Sequence, residues 1–177
     1  MAYVAQIEPA DATGELAALY ATLTEITGGV PNIVKLSSLK PAAAIAAQDL
    51  YQSVLYHESN LTMTQKEMVA VVVSVINGCV YCYEHHGNAL RRLTGDDDLV
   101  DQVIADHRLA DLDLVTGQIV DFADQLTRDP TSMRAADVAG LRSLGLADET
   151  IVDLVQLVAY FNYTNRLAVG LGVDPEE

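Results

Sequence analysis

Residues 67–86, reading E-M-V-A-V-V-V-S-V-I-N-G-C-V-Y-C-Y-E-H-H, constrain the fold more than any other stretch of the chain. After Glu67 come six consecutive apolar residues, 68–73, and no apolar run in the chain is longer. That run is far short of the roughly 20 residues a membrane-spanning helix needs. The apolar character continues through Ile76, for longer than a usual strand, and is bounded by helix punctuation on both sides. Thr62 or Thr64 can start the helix at one end, Thr64 and Glu67 having the spacing of a capping box, and Asn77-Gly78 breaks the pattern at the other. The stretch therefore predicts one helix, a break at Gly78, and a second helix with Cys79 in its first turn.

The rest of the chain is punctuated in the same way. Asp11 or Thr13 can cap a helix to about Ile26, with Leu16, Leu19, Tyr20 and Leu23 on its apolar side. Gly28-Gly29 and Pro31-Asn32 end it, residues 33–39 read as a short helical turn, and Pro41 opens an alanine-rich helix to about His57. Residues 79–93 form the helix after Gly78, residues 96–98 supply a cap and first-turn acids for a helix to about Arg108, and residues 112–126 another, closed by Asp129-Pro130. Residues 135–144 follow, and Asp148 caps a last helix to about Val169. No segment alternates with a period of two, so the expected fold is all-α, a single helical domain over residues 1–177. Shifting the chain by 83 residues lays 61–82 over 144–165 and places Asn162-x-x-Asn165 over Cys79-x-x-Cys82. Two related halves and chance helical periodicity both explain that echo.

Charge excludes some partners. The 177 residues carry 25 acidic against 10 basic side chains, a formal net charge of -15, with no basic stripe of the kind phosphate contacts require. Neither nucleic acid nor an anionic membrane surface is an expected partner. No leader pattern opens the chain, and the expected location is cytoplasmic.

In a reducing compartment two cysteines three apart point to redox or metal work rather than to a structural staple. Cys82 and His86 stand in an i,i+4 relation, and Cys79 precedes Cys82 by one turn. A thiolate is the reactive form, and a helix start, a neighbouring imidazole and a second thiol are the three means of generating and capturing it. Glu67 lies beyond the break at Gly78 and can reach His86 only across a helical hairpin, where it would orient or charge the imidazole. Helix-terminus arguments favour Cys79 as the attacking thiol, whereas proximity to His86 favours Cys82. Tyr81, between the cysteines, and His85 are candidates for a substrate entrance. A zinc site using the cysteines, His86 and Glu67 or His85 is the alternative, without a second C-x-x-C to complete it. Haem attachment requires histidine immediately after the second cysteine, and Tyr83 stands there.

The arrangement of Glu67, Cys79-x-x-Cys82 and His86, within Asn77-Gly78-Cys79-Val80-Tyr81-Cys82-Tyr83-Glu84-His85-His86, resembles the active-site motif of the alkylhydroperoxidase D-like branch of the carboxymuconolactone decarboxylase superfamily. It is most similar to the peroxidase-related members, as are the segment 160–168 and the loop at Pro31-Asn32. The resemblance implies an all-helical fold, trimers or hexamers, and reduction of hydroperoxides or disulfides at the expense of a dithiol reductant, with no metal or other cofactor. It also implies that Cys82 attacks, that Cys79 resolves the sulfenic acid as a disulfide, and that Glu67 and His86 relay protons. Tyr81 occupies a position where the best-known members have histidine. A non-redox, decarboxylase-like protein or a structural oligomer is the remaining alternative, against which the C-x-x-C pair argues. Tyrosines at 51, 56, 81, 83, 160 and 163 give modest independent support for a homo-oligomer, packing within one protomer being the other explanation.

Overall fold

In the computed structural model, which describes residues 2–176, α4 (Met63–Ile76) is the axis, and its residues 66–74 are all buried. A helix that is apolar around its whole circumference has to be enclosed by other helices. Here α5 (Val80–Thr94), α6 (Asp97–Asp106), α7 (Leu114–Arg128) and α9 (Asp148–Leu171) surround it. Leu90, Val100, Val120, Leu154 and Leu157 pack with its valines in one apolar cluster. Among the described residues there is no strand, in agreement with the all-α expectation, and no helix is long and apolar enough to cross a membrane.

Of the two expected starts of α4 the structure uses Thr62, and the capping box forms with Gln65 rather than Glu67, which matters for the site. Thr62, not Thr64, is the cap: its Oγ1 accepts from the Gln65 N–H at 3.1 Å, and the Gln65 Oε1 accepts from the Thr62 N–H at 3.0 Å. Gln65 therefore fills the capping box, and Glu67 is released from any capping role to sit inside the helix with its side chain buried. At the other end Gly78 adopts φ +67°, a left-handed conformation that costs a residue with a Cβ about 1–2 kcal/mol. The chain reverses there and delivers Cys79 to the start of α5. Nothing lies within 4 Å of a Cβ placed on Gly78, so Gly78→Ala should cost only this backbone penalty, about 1 kcal/mol. Chemical denaturation should show a lower midpoint with an unchanged slope.

An N-terminal layer of α1 (Gly14–Thr27), α2 (Asn32–Lys35) and α3 (Pro41–Tyr51) covers one side of this assembly. Pro41 occupies the first turn of α3 as expected. The helix does not run to His57 in regular form but widens into a π-helical turn at Gln52–Tyr56. Lys66 closes that turn: its buried ammonium donates to the carbonyls of Leu55 at 2.9 Å and His57 at 3.0 Å, and burial lowers its pKa. Leu16, Tyr20, Leu23 and Val30 form a second, smaller apolar cluster under α1.

The remaining boundaries shift by one or two residues. Asp113 caps α7 through the N–H groups of Val115 and Thr116, so the helix begins at Leu114. α8 (Ala135–Ser143) precedes α9, whose cap position is Ala147. Asp148 lies in the first turn and accepts from the Arg142 guanidinium at 2.6 Å. The echoing segments 61–82 and 144–165 have different shapes, since α9 runs unbroken through Asn162 and Asn165 whereas the first copy turns at Gly78. They meet directly: Asn77 Nδ2 donates to Asn162 Oδ1 at 3.1 Å and Asn165 Oδ1 at 3.0 Å, and Asn165 Nδ2 donates to Ser74 Oγ at 3.0 Å.

Candidate active site

The reversal at Gly78 folds α5 back along α4, which places Glu67 opposite His86. Glu67 Oε2 and His86 Nδ1 are 2.7 Å apart, with both side chains more than nine-tenths buried. A carboxylate has no proton to donate, so Nδ1 donates and Nε2 is left as the basic ring nitrogen. The edge of the His86 ring packs on Phe161 of α9, centroids 4.7 Å apart at 86°, which fixes its plane. Position and tautomer of this base are thus set by residues from three helices.

Cys79 is the cap residue of α5 and Cys82 is in its first turn, so both sulfurs lie at the positive end of the helix dipole. The two are joined as a disulfide with their Cα atoms 5.3 Å apart. They are 2% and 3% exposed and pack against Ala168, Ile33, Tyr81 and Val173. With the sulfurs joined to each other and Nδ1 taken by Glu67, the zinc arrangement is not formed. Among the described residues no group of three or more His, Cys, Asp or Glu side chains is disposed to hold a metal ion.

A cavity of about 690 Å³ lies between the N-terminal layer and the helices that carry the site. One wall comes from α1, the loop 28–31, α2 and α3; the other comes from Tyr81, Cys82, His85 and His86 of α5 and from Tyr160, Phe161 and Tyr163 of α9. Cys82 and His86 reach this space, whereas Cys79 is not among its lining.

Tyr81 and His85, expected near an entrance, both line the cavity and lie with their rings nearly parallel, centroids 6.4 Å apart. The Tyr81 hydroxyl donates to the Glu176 carboxylate, which also accepts from the Asn32 N–H at 2.9 Å. Asn32 Nδ2 in turn donates to the carbonyl of Pro175 at 2.8 Å, so the last described residues run beside the cysteine pair. Partial enclosure and the neighbouring His86 lower the pKa of His85. Burial raises the Tyr51 and Tyr81 phenols well above their usual range, and pushes Tyr160 up to about 12. These hydroxyls are neutral donors at physiological pH.

Phe161, Tyr51 and Glu176 are parts of the site that residue spacing alone did not reveal. The tyrosine positions suggest either an interface between protomers or packing within one; Tyr51, Tyr56, Tyr81, Tyr160 and Tyr163 wall the cavity, and Tyr83 packs on the core. Tyr51 stacks on Tyr160 with centroids 5.6 Å apart, bringing α3 against α9 across a stretch of chain that no local pattern links.

Residues 41–112, from the start of α3 to beyond α6, match the model of the carboxymuconolactone decarboxylase family. No curated protein matches the chain. Among solved structures, an uncharacterized peroxidase-related protein from Silicibacter sp. TM1040 is 35% identical, with 92% of this chain and 85% of that one aligned at a TM-score of 0.85. An alkylhydroperoxidase AhpD core protein from Ralstonia eutropha JMP134, also described as peroxidase-related and uncharacterized, is 26% identical over 99% of this chain and 93% of that one, at a TM-score of 0.91. The debrominase Bmp8, solved with 2,3,4-tribromopyrrole, shares the fold at 17% identity and a TM-score of 0.80, covering 99% of this chain and 94% of that one. With the C-x-x-C pair and the paired Glu67 and His86 in the same helical frame, the chain belongs to the carboxymuconolactone decarboxylase superfamily, in its alkylhydroperoxidase D-like, peroxidase-related branch.

Proposed function

We propose that the protein is a dithiol-dependent peroxidase that reduces organic hydroperoxides. The observation that carries this reading is the asymmetry of the pair: Cys82 reaches the cavity together with His86, while Cys79 is bonded to Cys82 but walled off from that space. A substrate in the cavity meets one sulfur, and the other is positioned to capture whatever forms on it.

The electrons and protons balance as follows. In the reduced protein the His86 Nε2 takes the thiol proton of Cys82, helped by the dipole of α5. The thiolate attacks the terminal oxygen of the hydroperoxide, the O–O bond breaks, and the departing alkoxide takes the proton from His86 to leave as an alcohol. Cys82 is then a sulfenic acid. Cys79 attacks its sulfur, water leaves and the disulfide forms, and an external dithiol returns both cysteines to thiols. Glu67 holds the imidazole in the tautomer this sequence needs and stabilises it while it carries the extra proton.

Adding hydroperoxide to the dithiothreitol-reduced protein should consume two thiols per peroxide and produce one equivalent of alcohol. Mass spectrometry should locate the resulting bond between Cys79 and Cys82. Thiols that persist in the presence of excess organic hydroperoxide would remove the basis of this reading.

A further inference from the structure

The cavity is much larger than the chemistry at Cys82 requires. A hydrogen peroxide molecule is little bigger than a water, whose share of liquid volume is about 30 Å³, whereas the space beside Cys82 is about 690 Å³ and falls in the range of sites that enclose molecules of drug size. Its walls are mainly aromatic and aliphatic, with Thr27, Ser37, Gln48, Gln52 and Thr164 as uncharged polar members. The stacked Tyr51 and Tyr160 and the face contributed by Phe161 offer flat surfaces, and Leu23, Val34 and Leu167 complete the apolar enclosure. Phenol hydroxyls held in the neutral form supply hydrogen-bond donors without charge.

No lysine or arginine is among the lining residues. Arg166 is tied to the carbonyl and amide oxygens of Asn162, and Arg92, whose charge acts on His85, lies outside the lining. Among the described lining residues the one carboxylate is Glu176, beside Tyr81, and the whole chain carries a formal charge of -15. An anion entering such a space would give up hydration with no lysine or arginine among the described lining residues to receive it, and would do so against a negative field.

We propose that this cavity selects uncharged, ring-sized apolar hydroperoxides and excludes those that carry a carboxylate. The inference rests on the peroxidase reading for the reaction, but not for the binding preference, and the two are separable. Cys82 would receive the hydroperoxy group at the inner end of the cavity while the ring lies between α3 and α9.

Two experiments on the full chain test it. In the first, the oxidised protein is titrated with 2-phenylpropan-2-ol, the alcohol product of cumene hydroperoxide, and with its para-carboxylated analogue, binding being read by ligand-observed NMR. The neutral alcohol should bind at least about tenfold more tightly; equal or tighter binding of the carboxylate overturns the proposal. In the second, reduced protein is mixed with cumene hydroperoxide, its para-carboxylated analogue or hydrogen peroxide, and thiol loss is followed. Cumene hydroperoxide should exceed each of the other two by about tenfold or more in second-order rate constant. Ala47→Phe, which fills part of the cavity from α3 without touching the cysteines, His86 or Glu67, should lower the ratio for cumene hydroperoxide over hydrogen peroxide by about tenfold. An unchanged ratio in a variant with native helicity overturns the assignment of the cavity. Selective binding of the neutral alcohol with no thiol oxidation by any peroxide would uphold the cavity preference and refute the peroxidase reading. Oxidation by all three at one rate would do the reverse.

Discussion

Cys82→Ser should abolish peroxide-driven thiol chemistry, whereas Cys79→Ser should leave a single turnover that stops at a sulfenic acid on Cys82. This is the largest effect expected in the chain, because it removes the one sulfur that lines the cavity alongside His86. A serine hydroxyl is no substitute: its pKa lies far above that of a thiol, and oxygen is a poor nucleophile toward peroxide oxygen. The Cys79 variant is the more informative of the two. With the resolving thiol gone, the sulfenic acid persists in its apolar surroundings and should be trapped by a 1,3-dione, giving one adduct on Cys82 detectable by mass spectrometry. A dione adduct on Cys79 in the Cys82→Ser protein, formed at the native rate, would reverse the assigned order. Both cysteines lie at the start of α5, so the dipole does not choose between them. The expected order rests on access, Cys82 lining the cavity and Cys79 not.

His86→Ala should lower the rate of Cys82 oxidation by about 10²- to 10⁴-fold, the usual contribution of a positioned general base. The loss should be greatest near neutral pH and shrink in alkaline solution, where the thiol ionises without help. A pH profile parallel to that of the native protein at all values would assign His86 a packing role against Phe161 and no part in proton transfer. Glu67 separates the two roles from the other side of the hydrogen bond. Glu67→Ala leaves the buried Nδ1–H of His86 without its acceptor and should cost about 1–3 kcal/mol of stability, visible in urea denaturation. Glu67→Gln keeps an acceptor oxygen and most of that stability. It removes the charge that stabilises the protonated imidazole, so oxidation should still slow by an order of magnitude or more. Equal rates for native and Glu67→Gln proteins would confine Glu67 to a structural role.

The helices themselves were largely legible in the sequence. Proline at the head of α3, the break at Asn77-Gly78 and the acids at the start of α6 are local signals, and the structure uses each of them where it stands. The valine-rich run of α4 was recoverable for the same reason, since capping and length distinguish a buried helix from a buried strand. The choice between Thr62 and Thr64 at its start was open in the sequence. Thr64 with Glu67 and Thr62 with Gln65 have the same spacing, and only the actual first turn of the helix decided which pair would form the box. That one-turn choice moved Glu67 from a helix end to the interior and made it available to His86.

The cavity was not legible. Tyr51 and Tyr160 stack across helices distant in the chain, and their aromatic character by itself is equally consistent with a core or an interface. Asn32 and Glu176 meet through hydrogen bonds between opposite ends of the described chain, where no periodicity operates.

The sequence alone determined that the chain is helical, that it turns at Gly78, and that two thiols and an imidazole lie one above another at the start of a helix. Each of these depends on neighbours within a few positions, where backbone geometry is nearly invariant. Tertiary structure decided which carboxylate orients His86, which sulfur meets the cavity, and that the tyrosines enclose a space within one protomer. Those outcomes depend on how α4, α5 and α9 pack and on where the N-terminal layer comes to rest. They are set by the shape of buried side chains far apart in sequence, and the pattern of residues along any one helix does not contain them.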